Sequence, residues 1–283
     1  MDVSVVVLTW EDYQHTSGCV RSLPEGVEVV VVDNGSAEEI GDKLRAMCAE
    51  TGATYVRSPT NLGYAKGMNL GVRHTTRSVV VLSNNDIVVD PGAIETLAGR
   101  LEDPAVGAAF PGVRGADGSD QTAAGRFLTI RVGLAHATGL SLFFRGLGIV
   151  ATPERADWLS GPFVVIRRST LDDIGGVDES SFFYSEDLRL CWAVRRRGLR
   201  LAYVPEAVVT HEDDVSAKRR WSGAEIARRQ TREFVRASRE LAGWRGRIAG
   251  GAYAFGALAR AAVSRGGVRR AVARGALEGM RAP

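Results

Sequence analysis

The sequence is poor in cysteine and in long apolar runs, and each scarcity excludes a class of protein. Its 283 residues include only Cys19, Cys48 and Cys191, with no Cys-x-x-Cys pair and no Cys/His cluster. This argues against a disulfide scaffold and a zinc site, and it favours a reducing cytoplasm. No apolar stretch reaches the roughly 18 residues of a transmembrane helix. The predicted localisation is therefore cytoplasmic, with contact at most to the inner face of the membrane.

Lysine is almost absent too, so nearly all of the positive charge is arginine, and it is unevenly placed along the chain. Residues 218–283 contain 16 Lys and Arg against four Asp and Glu, a net charge of +12. Residues 1–217 contain 20 against 29, a net charge of −9. A basic helical segment can lie on anionic lipid, pack on the acidic body or join a second copy, and these alternatives stay open. Nucleic acid is not expected, because no recognition motif accompanies the charge.

What the sequence does contain is an alternation of short valine-rich runs with segments of helical spacing, in a composition typical of globular proteins. In the first hundred residues this alternation predicts a parallel sheet with helices on both faces. The arginine-rich tail predicts helices that are interrupted at Gly250-Gly251 and at Gly266-Gly267. The predicted strands are 3–9, 27–32, 53–57, 78–82, 105–110, 163–166 and 201–204, and the predicted helices are 37–50, 64–75, 186–197, 222–244 and 253–280.

Polar motifs follow the ends of the predicted strands, which is where ligands bind in sheets of this kind. Asp33 ends an apolar run in VVVVDNGS, where it can cap the following helix or contact a ligand. Gly63 and Gly67 straddle a helix start in NLGYAKGMN, a pattern that suits either an anion or close helix packing. Asp86 follows the run in LSNNDIVV, where a carboxylate can hold Mg²⁺ or Mn²⁺ or form a turn.

Two features further along the chain add candidate catalytic residues. Glu186 and Asp187 open a predicted helix, where adjacent acids can stabilise the helix N-terminus or supply a general base. His211 follows an apolar run and stands beside three acids, which favour its protonated form. A lone histidine can equally be structural.

In this order, VVVVDNGS, NLGYAKGMN, LSNNDIVV, a Gly-Pro followed by two arginines, IGGVDESSFFYSEDLRLCW and a late histidine resemble the family 2 glycosyltransferases. The likeness is greatest to their rhamnosyltransferase-like branch, and it spans residues 3–211. It implies the GT-A fold, an α/β fold in which helices flank a mixed, mainly parallel central sheet. It also implies a catalytic domain at 1–217, which leaves a basic helical extension at 218–283.

The resemblance implies an inverting, metal-dependent glycosyltransferase of the hexosyltransferase type. Such an enzyme moves a sugar from a nucleoside diphosphate to an acceptor hydroxyl and uses Mg²⁺ or Mn²⁺. The rhamnosyltransferase-like branch favours a dTDP-deoxysugar such as dTDP-rhamnose as donor, with a UDP-sugar next. The acceptor is expected to be a lipid-linked glycan or a small natural product.

Residue roles also follow from the resemblance, position by position. It implies that Asp86 and His211 hold the metal, and that Asp187, beside Glu186, is the catalytic base. The nucleotide-binding residues that it implies are Thr9, Glu11, Asp33, Gly63, Lys66, Asn69, Asn84 and Asn85. This division agrees with the chemistry, because a leaving diphosphate needs cationic stabilisation whereas an acceptor hydroxyl needs a base.

The chain departs from the family pattern at three positions. Arg189 stands where a third acid is usual, Ala193 where an arginine is usual, and Trp10 where an asparagine is usual. The first two lie near the acceptor side, and they motivate an alternative, a catalytically silent GT-A module that binds nucleotide or scaffolds a partner. A nucleotidyltransferase is disfavoured, because LTWEDYQHTSG lacks a glycine-rich, basic triphosphate motif.

Overall fold

The computed structural model describes residues 1–212, 221–264 and 266–282 of the chain. The chain divides into two compact units, which we call the sheet unit and the helical unit. The sheet unit comprises Met1–Thr122, Ser160–Glu186 and Ala193–Asp213, and the helical unit comprises Ala123–Leu159, Asp187–Trp192 and Asp214–Pro283. The domain boundary predicted between residues 217 and 218 lies outside the described residues, so that division stays a prediction.

The sheet unit is built on one mixed sheet. Its strands are β1 (Val3–Thr9), β2 (Glu28–Asp33), β3 (Thr54–Arg57), β4 (Val79–Asn84), β5 (Ile87–Val89), β6 (Val106–Gly115), β9 (Phe163–Arg167) and β10 (Arg200–His211). Their order in the sheet is β3-β2-β1-β4-β9-β6-β10-β5. The first four in this order run parallel, β9 is antiparallel to both neighbours, and β6 runs parallel to β10. The mixed, mainly parallel sheet predicted from the sequence is therefore confirmed.

Valine-rich runs form the central strands because these strands are covered on both faces. Valines 5–7 of β1 have no exposed surface, and branched side chains of this kind suit a pleated, buried strand. The parallel register sets Thr9 opposite Asp33, and Leu8 opposite Asn84. The carboxyl ends of three strands therefore bring predicted site positions to one edge of the sheet.

One helix of the sheet unit packs closely on β1 through a glycine. Gly67 provides close packing, because a Cβ there would lie 2.5 Å from Leu8 Cδ1. One helix that the sequence pattern missed begins after Asp12, whose side chain accepts a hydrogen bond from the backbone N–H of His15. The helices are α1 (Tyr13–Ser22), α2 (Glu38–Thr51), α3 (Tyr64–Val72), α4 (Ala93–Arg100) and α7 (Arg168–Asp173).

The helical unit contains the basic tail. Its elements are β7 (Ala124–Gly125), α5 (Ile130–Thr138), α6 (Leu140–Phe143), β8 (Trp158–Leu159), α9 (Gly223–Ala262) and α10 (Gly267–Arg281). The interruption predicted at Gly250-Gly251 is wrong, since α9 runs through both residues. The bend in α9 lies instead at Gly243, which has a positive φ of 57°. A Cβ on Gly250 would lie 2.8 Å from the Met280 sulfur, so this glycine allows close packing rather than a break.

The helix α8 (Glu186–Arg196) contributes residues to both units, with 187–192 in the helical unit. Arg189, the residue that departs from the family pattern, is buried there and forms an ion pair with Glu240 of α9. A buried charge is costly unless it is paired, so Glu240 accounts for how this arginine is tolerated. Among the described helices, none combines the length and the apolar composition needed to cross a membrane.

Candidate active site

The pairing of β5 with β10 brings Asp86 and His211 to the same place at the edge of the sheet. Asp86 lies in the turn between β4 and β5, and His211, the last residue of β10, pairs with Ile87. The backbone N–H of Glu212 then donates to the Asp86 carbonyl oxygen at 2.9 Å. The contact between the two predicted metal ligands is thus set by backbone pairing.

The side chains of Asp86 and His211 face one another. Oδ1 of Asp86 lies 3.3 Å from Nε2 of His211, and the two side chains are only 12% and 14% exposed. Asp86 Oδ1 is buried and accepts no hydrogen bond from the described residues. Nδ1 of His211 lies 3.2 Å from Oε1 of Gln121. Because a carbonyl oxygen only accepts, Nδ1 is the donor in this contact, and Nε2 is the ring nitrogen that faces the carboxylate.

This pair fits a divalent cation that is shared with a ligand. A carboxylate oxygen and a neutral imidazole are both ligands for Mn²⁺, and Mg²⁺ prefers the oxygen. Among the described residues, no group of three or more His, Cys, Asp or Glu side chains can hold a metal by itself. Two protein ligands leave positions for water and for phosphate oxygens, which is how Mg²⁺ is usually held beside nucleotide phosphates.

Asp86 also lines a cavity of about 220 Å³ on the sheet unit. His15 lies in its wall, with Nδ1 2.7 Å from Oδ2 of Asp12 and Nε2 3.5 Å from Oε2 of Glu212. These polar residues were not predicted as site residues. The cavity is lined by Gln14, His15, Gly18, Asp86, Ile87, Val88 and Glu212.

Asp33 is fully buried at the end of β2, with its carboxylate engaged by the protein. Oδ1 accepts the backbone N–H of Ser36 at 2.9 Å, and Oδ2 accepts the hydroxyl of Tyr55 at 2.7 Å. Burial, and then this carboxylate, raise the pKa of Tyr55 to about 12. Nε of Arg57 lies 3.6 Å from Oδ2. Asp33 therefore closes the turn after β2, and the N-cap residue of α2, Ala37, has no side-chain cap.

Asn34 holds the loop before α3, although sequence reasoning did not single it out. Its Nδ2 donates to Asn61 Oδ1 and to the Gly63 carbonyl, both at 3.2 Å, and its Oδ1 accepts the Leu62 N–H at 2.9 Å. Gly63 has a φ of 82°, and a Cβ there would lie 2.5 Å from the carbonyl oxygen of Phe182. The backbone conformation and the close approach of Phe182 both require glycine at this position.

Two further predicted residues, Lys66 and Asn69, lie on α3 and differ in the contacts that their side chains make. Lys66 is exposed in the first turn and has no ion-pair partner among the described residues. Asn69, in contrast, donates from Nδ2 to the Val177 carbonyl at 2.8 Å and to Glu179 Oε1 at 2.9 Å. Its Oδ1 accepts the Val177 N–H at 2.9 Å. Asn69 thus fastens the segment that leads toward α8, whereas the Lys66 ammonium is available to an anion.

A short polar network connects Thr9 with the turn that carries Asp86. The buried Thr9 hydroxyl donates to the Asp12 carbonyl at 2.9 Å and accepts from the Thr16 hydroxyl at 2.7 Å. Asn85 Nδ2 donates to the same Thr16 hydroxyl at 3.3 Å. Asn84 ends β4 at this edge. Within this network, Thr9 and Asn85 fix the two loops relative to one another.

Positive φ angles at non-glycine residues occur beside predicted site residues. Among the described residues they are found at Glu11 (56°), Tyr184 (75°) and Ser185 (69°). The Glu11 carboxylate accepts a backbone N–H at the start of α2 at 2.8 Å. Ser185 directly precedes Glu186 and Asp187, the half-buried first residues of α8. Such backbone conformations are costly and tend to persist at functional sites.

A family model described as glycosyltransferase-like family 2 matches residues 1–235. The chain belongs to this family. It is 27% identical to an N-acetylglucosaminyl-diphospho-decaprenol L-rhamnosyltransferase from Mycobacterium tuberculosis, over 85% of this chain and 86% of that protein. It is also 29% identical to a pre-mycofactocin glycosyltransferase from the same species, over 75% of this chain and 43% of that protein.

Solved structures agree on the fold of this family 2 glycosyltransferase. A mannosyltransferase from Pyrobaculum calidifontis, solved in complex with GDP-Man and Mn²⁺, superposes with a TM-score of 0.59. The sequence identity is 17%, and the match covers 98% of this chain and 79% of that one. The predictions of a GT-A fold and of a glycosyltransferase are therefore confirmed.

Within this family 2 glycosyltransferase, strand pairing joins Asp86 to His211 and sets Thr9, Asp33 and Asn84 along the same edge. The individual roles given to these residues, and to Asp187 in the helical unit, stay predictions. Sequence reasoning missed further residues of this edge, which are His15, Asn34, Gln121 and Glu212. Asn34 and Glu212 had a usable signal, because Asn34 lies inside the motif VVVVDNGS and Glu212 is one of the three acids beside His211.

Proposed function

We propose that this glycosyltransferase moves a sugar from a nucleoside diphosphate to an acceptor hydroxyl with inversion at the anomeric carbon. The observation that carries the proposal is the Asp86 carboxylate at the sheet edge, whose buried Oδ1 faces His211 and accepts no hydrogen bond from the described residues. A dTDP-deoxysugar such as dTDP-rhamnose is the favoured donor, followed by a UDP-sugar. The support for this order is the rhamnosyltransferase relative from M. tuberculosis.

On the donor side, Asp86 and His211 would hold Mg²⁺ or Mn²⁺. The cation supplies positive charge that stabilises the diphosphate as the bond between sugar and phosphate breaks. Lys66 adds a second positive charge at the N-terminus of α3, where the helix dipole also favours an anion. The remaining residues that we propose to contact the nucleotide are Thr9, Glu11, Asp33, Gly63, Asn69, Asn84 and Asn85.

On the acceptor side, Asp187 would take the proton from the attacking hydroxyl. A sugar hydroxyl is a poor nucleophile, and a carboxylate that removes its proton during attack lowers the barrier. The backbone of Tyr184 and Ser185 fixes where α8 begins, and so it fixes the position of Asp187 beside Glu186. A single inverting displacement needs one base, which leaves Asp86 to its separate role with the cation.

The favoured acceptor is a lipid-linked glycan, with a small natural product as the second candidate. Its support is the relative from M. tuberculosis, whose name specifies a glycan on diphospho-decaprenol and which this chain matches over most of its length. Arg189 does not contradict this choice, because its charge is buried in an ion pair with Glu240.

The test is a transfer assay on the full chain with Mn²⁺ and parallel samples of dTDP-rhamnose, UDP-glucose and GDP-mannose. The acceptor is N-acetylglucosamine linked through diphosphate to a short polyprenol. We expect mass spectrometry to show one added deoxyhexose with dTDP-rhamnose, and NMR to show inversion of the donor linkage. A chain that binds nucleotide but consumes no donor would instead be the catalytically silent GT-A module.

A further inference from the structure

The second half of α9 exposes a stripe of large apolar side chains. Trp244, Ile248, Phe255 and Leu258 follow the bend at Gly243, and each is between 40% and 66% exposed. Their spacing of four, seven and three residues places them on one face of the helix. The opposite face packs inside the helical unit through small or buried residues, which are Gly246, Ala249, Gly250, Tyr253, Ala254, Gly256 and Ala257. The apolar stripe is therefore not used by the fold of this unit.

A second exposed apolar segment lies at the end of α5 that contacts α9. Arg260 Nη1 donates to the His136 carbonyl oxygen at 2.7 Å, and a Cβ on Gly256 would lie 2.6 Å from the same oxygen. This contact fixes the end of α5 at the level of Phe255 and Leu258 along α9, but on the face of α9 that packs inside the unit. The chain then continues into α6, and the exposed residues of this segment are Leu140, Leu142, Phe143 and Phe144. Both apolar sets thus lie at the same end of the α5–α9 pair.

Four of the five arginines of α9 before Gly243 form ion pairs with acids of the same unit, and the fifth, Arg239, donates to the carbonyl oxygens of Gly279 and Ala282. These contacts satisfy their charges internally, so this half of the helix has little net charge to offer a partner. The ion pairs are Arg228–Glu225, Arg228–Glu278, Arg229–Glu225, Arg232–Glu233, Arg236–Glu233 and Arg236–Glu240.

The arginines just beyond Gly243 differ from those before it. Arg245 and Arg247 are exposed and have no ion-pair partner in the part of the chain that the structure describes. The Arg245 guanidinium lies 5.4 Å from the centroid of the Trp244 ring, so charge and aromatic surface are adjacent. From residue 243 to 283 the sequence has eight arginines and one acid, a net charge of +7. The exposed stripe is therefore accompanied by uncompensated positive charge.

We propose that this face of the helical unit docks on the surface of an anionic lipid bilayer. We define it by Trp244, Ile248, Phe255 and Leu258 of α9 and by the flanking Arg245 and Arg247. Apolar side chains of such a face enter the boundary between headgroups and acyl chains, and guanidinium groups bind lipid phosphates. A second copy of the chain fits less well, because it would bring the same unpaired arginines together. The inference concerns the helical unit alone and does not depend on the sugar or the acceptor.

Flotation with lipid vesicles tests this docking face. We expect the full chain to float with vesicles of phosphatidylcholine mixed with phosphatidylglycerol. With vesicles of phosphatidylcholine alone it should remain at the bottom of the gradient. Binding should shift the tryptophan emission to shorter wavelength. The change Trp244→Phe should remove that shift and keep the flotation, because phenylalanine retains the apolar contact.

Two double variants separate the apolar and the charged contributions. Trp244→Ser with Phe255→Ser should weaken vesicle binding at least about tenfold, since two large apolar contacts are lost. Arg245→Gln with Arg247→Gln should weaken it about tenfold and reduce its dependence on salt. The matched control is Arg21→Gln with Arg100→Gln, which removes the same charge from exposed positions of α1 and α4 and should leave binding unchanged.

Three outcomes would overturn the proposal. They are equal binding to both kinds of vesicle, no binding of the unmodified chain, and full binding by the Trp244→Ser, Phe255→Ser variant. A dimer in sedimentation experiments that this variant abolishes, with no vesicle binding, would assign the face to a second copy instead.

All altered residues are exposed, so an unchanged circular dichroism melt is the folding control. Transfer to a soluble acceptor is assayed without vesicles, so a failure here leaves the proposed function standing.

Discussion

The core of the sheet unit contains large side chains such as Leu44, Ile94 and Phe110, which have almost no exposed surface. The core of the helical unit contains mostly alanines, and glycines stand where helix backbones meet. A Cβ on Gly133 would lie 2.5 Å from the Ala249 carbonyl oxygen, and one on Gly279 would lie 2.5 Å from that of Arg232. The packing of the sheet unit therefore depends on large buried side chains. The packing of the helical unit depends on positions without a side chain, where helix backbones approach closely.

The two units also differ in the chemistry proposed for them. The sheet unit contains Asp86, His211 and Lys66, which we assign to the donor nucleotide and the cation. The helical unit contains Asp187, which we assign to the acceptor. This comparison predicts that changes in one unit affect nucleotide binding and that a change in the other affects transfer alone.

The largest expected effect comes from Asp187→Asn. Loss of the general base should lower the rate of sugar transfer by about 10²–10⁴-fold, while nucleotide binding is retained. Product formation and nucleotide titration, measured on the same preparation, check both halves of the prediction. Asp172→Asn makes the same chemical change at an exposed position of α7 and should leave the rate unchanged. Full activity of Asp187→Asn would remove the base assignment.

Phe110→Ala tests whether the stability of the sheet unit depends on its large buried side chains. Phe110 is buried in β6, and removal of its ring should lower the free energy of unfolding by about 3–5 kcal/mol. Denaturant titration followed by circular dichroism measures this loss. A loss below 1 kcal/mol would show that the sheet unit tolerates missing volume and would contradict the comparison.

Gly279→Ala tests whether the helical unit depends on glycines where its helices meet. The added methyl group meets the Arg232 carbonyl oxygen and the Val235 side chain, and the overpacking should cost about 1–3 kcal/mol. Gly99→Ala is the matched control, because a Cβ on Gly99 of α4 has no neighbour within 4 Å among the described residues. The control should be neutral or slightly stabilising. Equal effects of the two substitutions in thermal melts would contradict the account.

The smallest effect concerns the pH dependence of the helical unit. Burial, and then the neighbouring Arg260, lower the pKa of His136 from 6.5 to about 4. Between these values the unfolded chain binds a proton that the folded unit does not bind, so stability falls as the pH falls. We expect a loss of about 1–2 kcal/mol between pH 7 and pH 5, allowing for partial solvent screening. Melts at both pH values should show that His136→Gln removes this loss and that His74→Gln, at an exposed position, does not.

The sequence predicted the first four strands to within two residues at each end. In β1, β2 and β4 the signal is a short valine-rich run that is mostly buried. The sequence pattern missed α1, since YQHTSGCVRS has little apolar periodicity, and it ended β10 too early. Pro205 and Glu206 interrupt the apolar run there, and the ladder with β6 shifts register between Val204 and Val208. The structure continues β10 to His211 beyond this irregularity.

The sequence predicted individual residues of the candidate site but not which of them lie in contact. Asp86 and His211 were both named from the resemblance, yet their contact depends on the antiparallel pairing of β5 with β10. No local pattern reports such a pairing between distant segments. For the same reason Gln121, which contacts His211, and His15, beside Glu212, gave no signal in the sequence.

Calorimetric titration of nucleotide into the full chain, with and without Mn²⁺, tests the central claim most directly. With the unmodified chain we expect dTDP to bind more tightly when Mn²⁺ is present, and more tightly than UDP or GDP. Asp86→Asn should reduce the gain in dTDP affinity from Mn²⁺ by at least about tenfold. Asp42→Asn, at an exposed position of α2, should keep this gain. A gain from Mn²⁺ that is unchanged in Asp86→Asn, or no binding of any of the three nucleotides, would contradict the account.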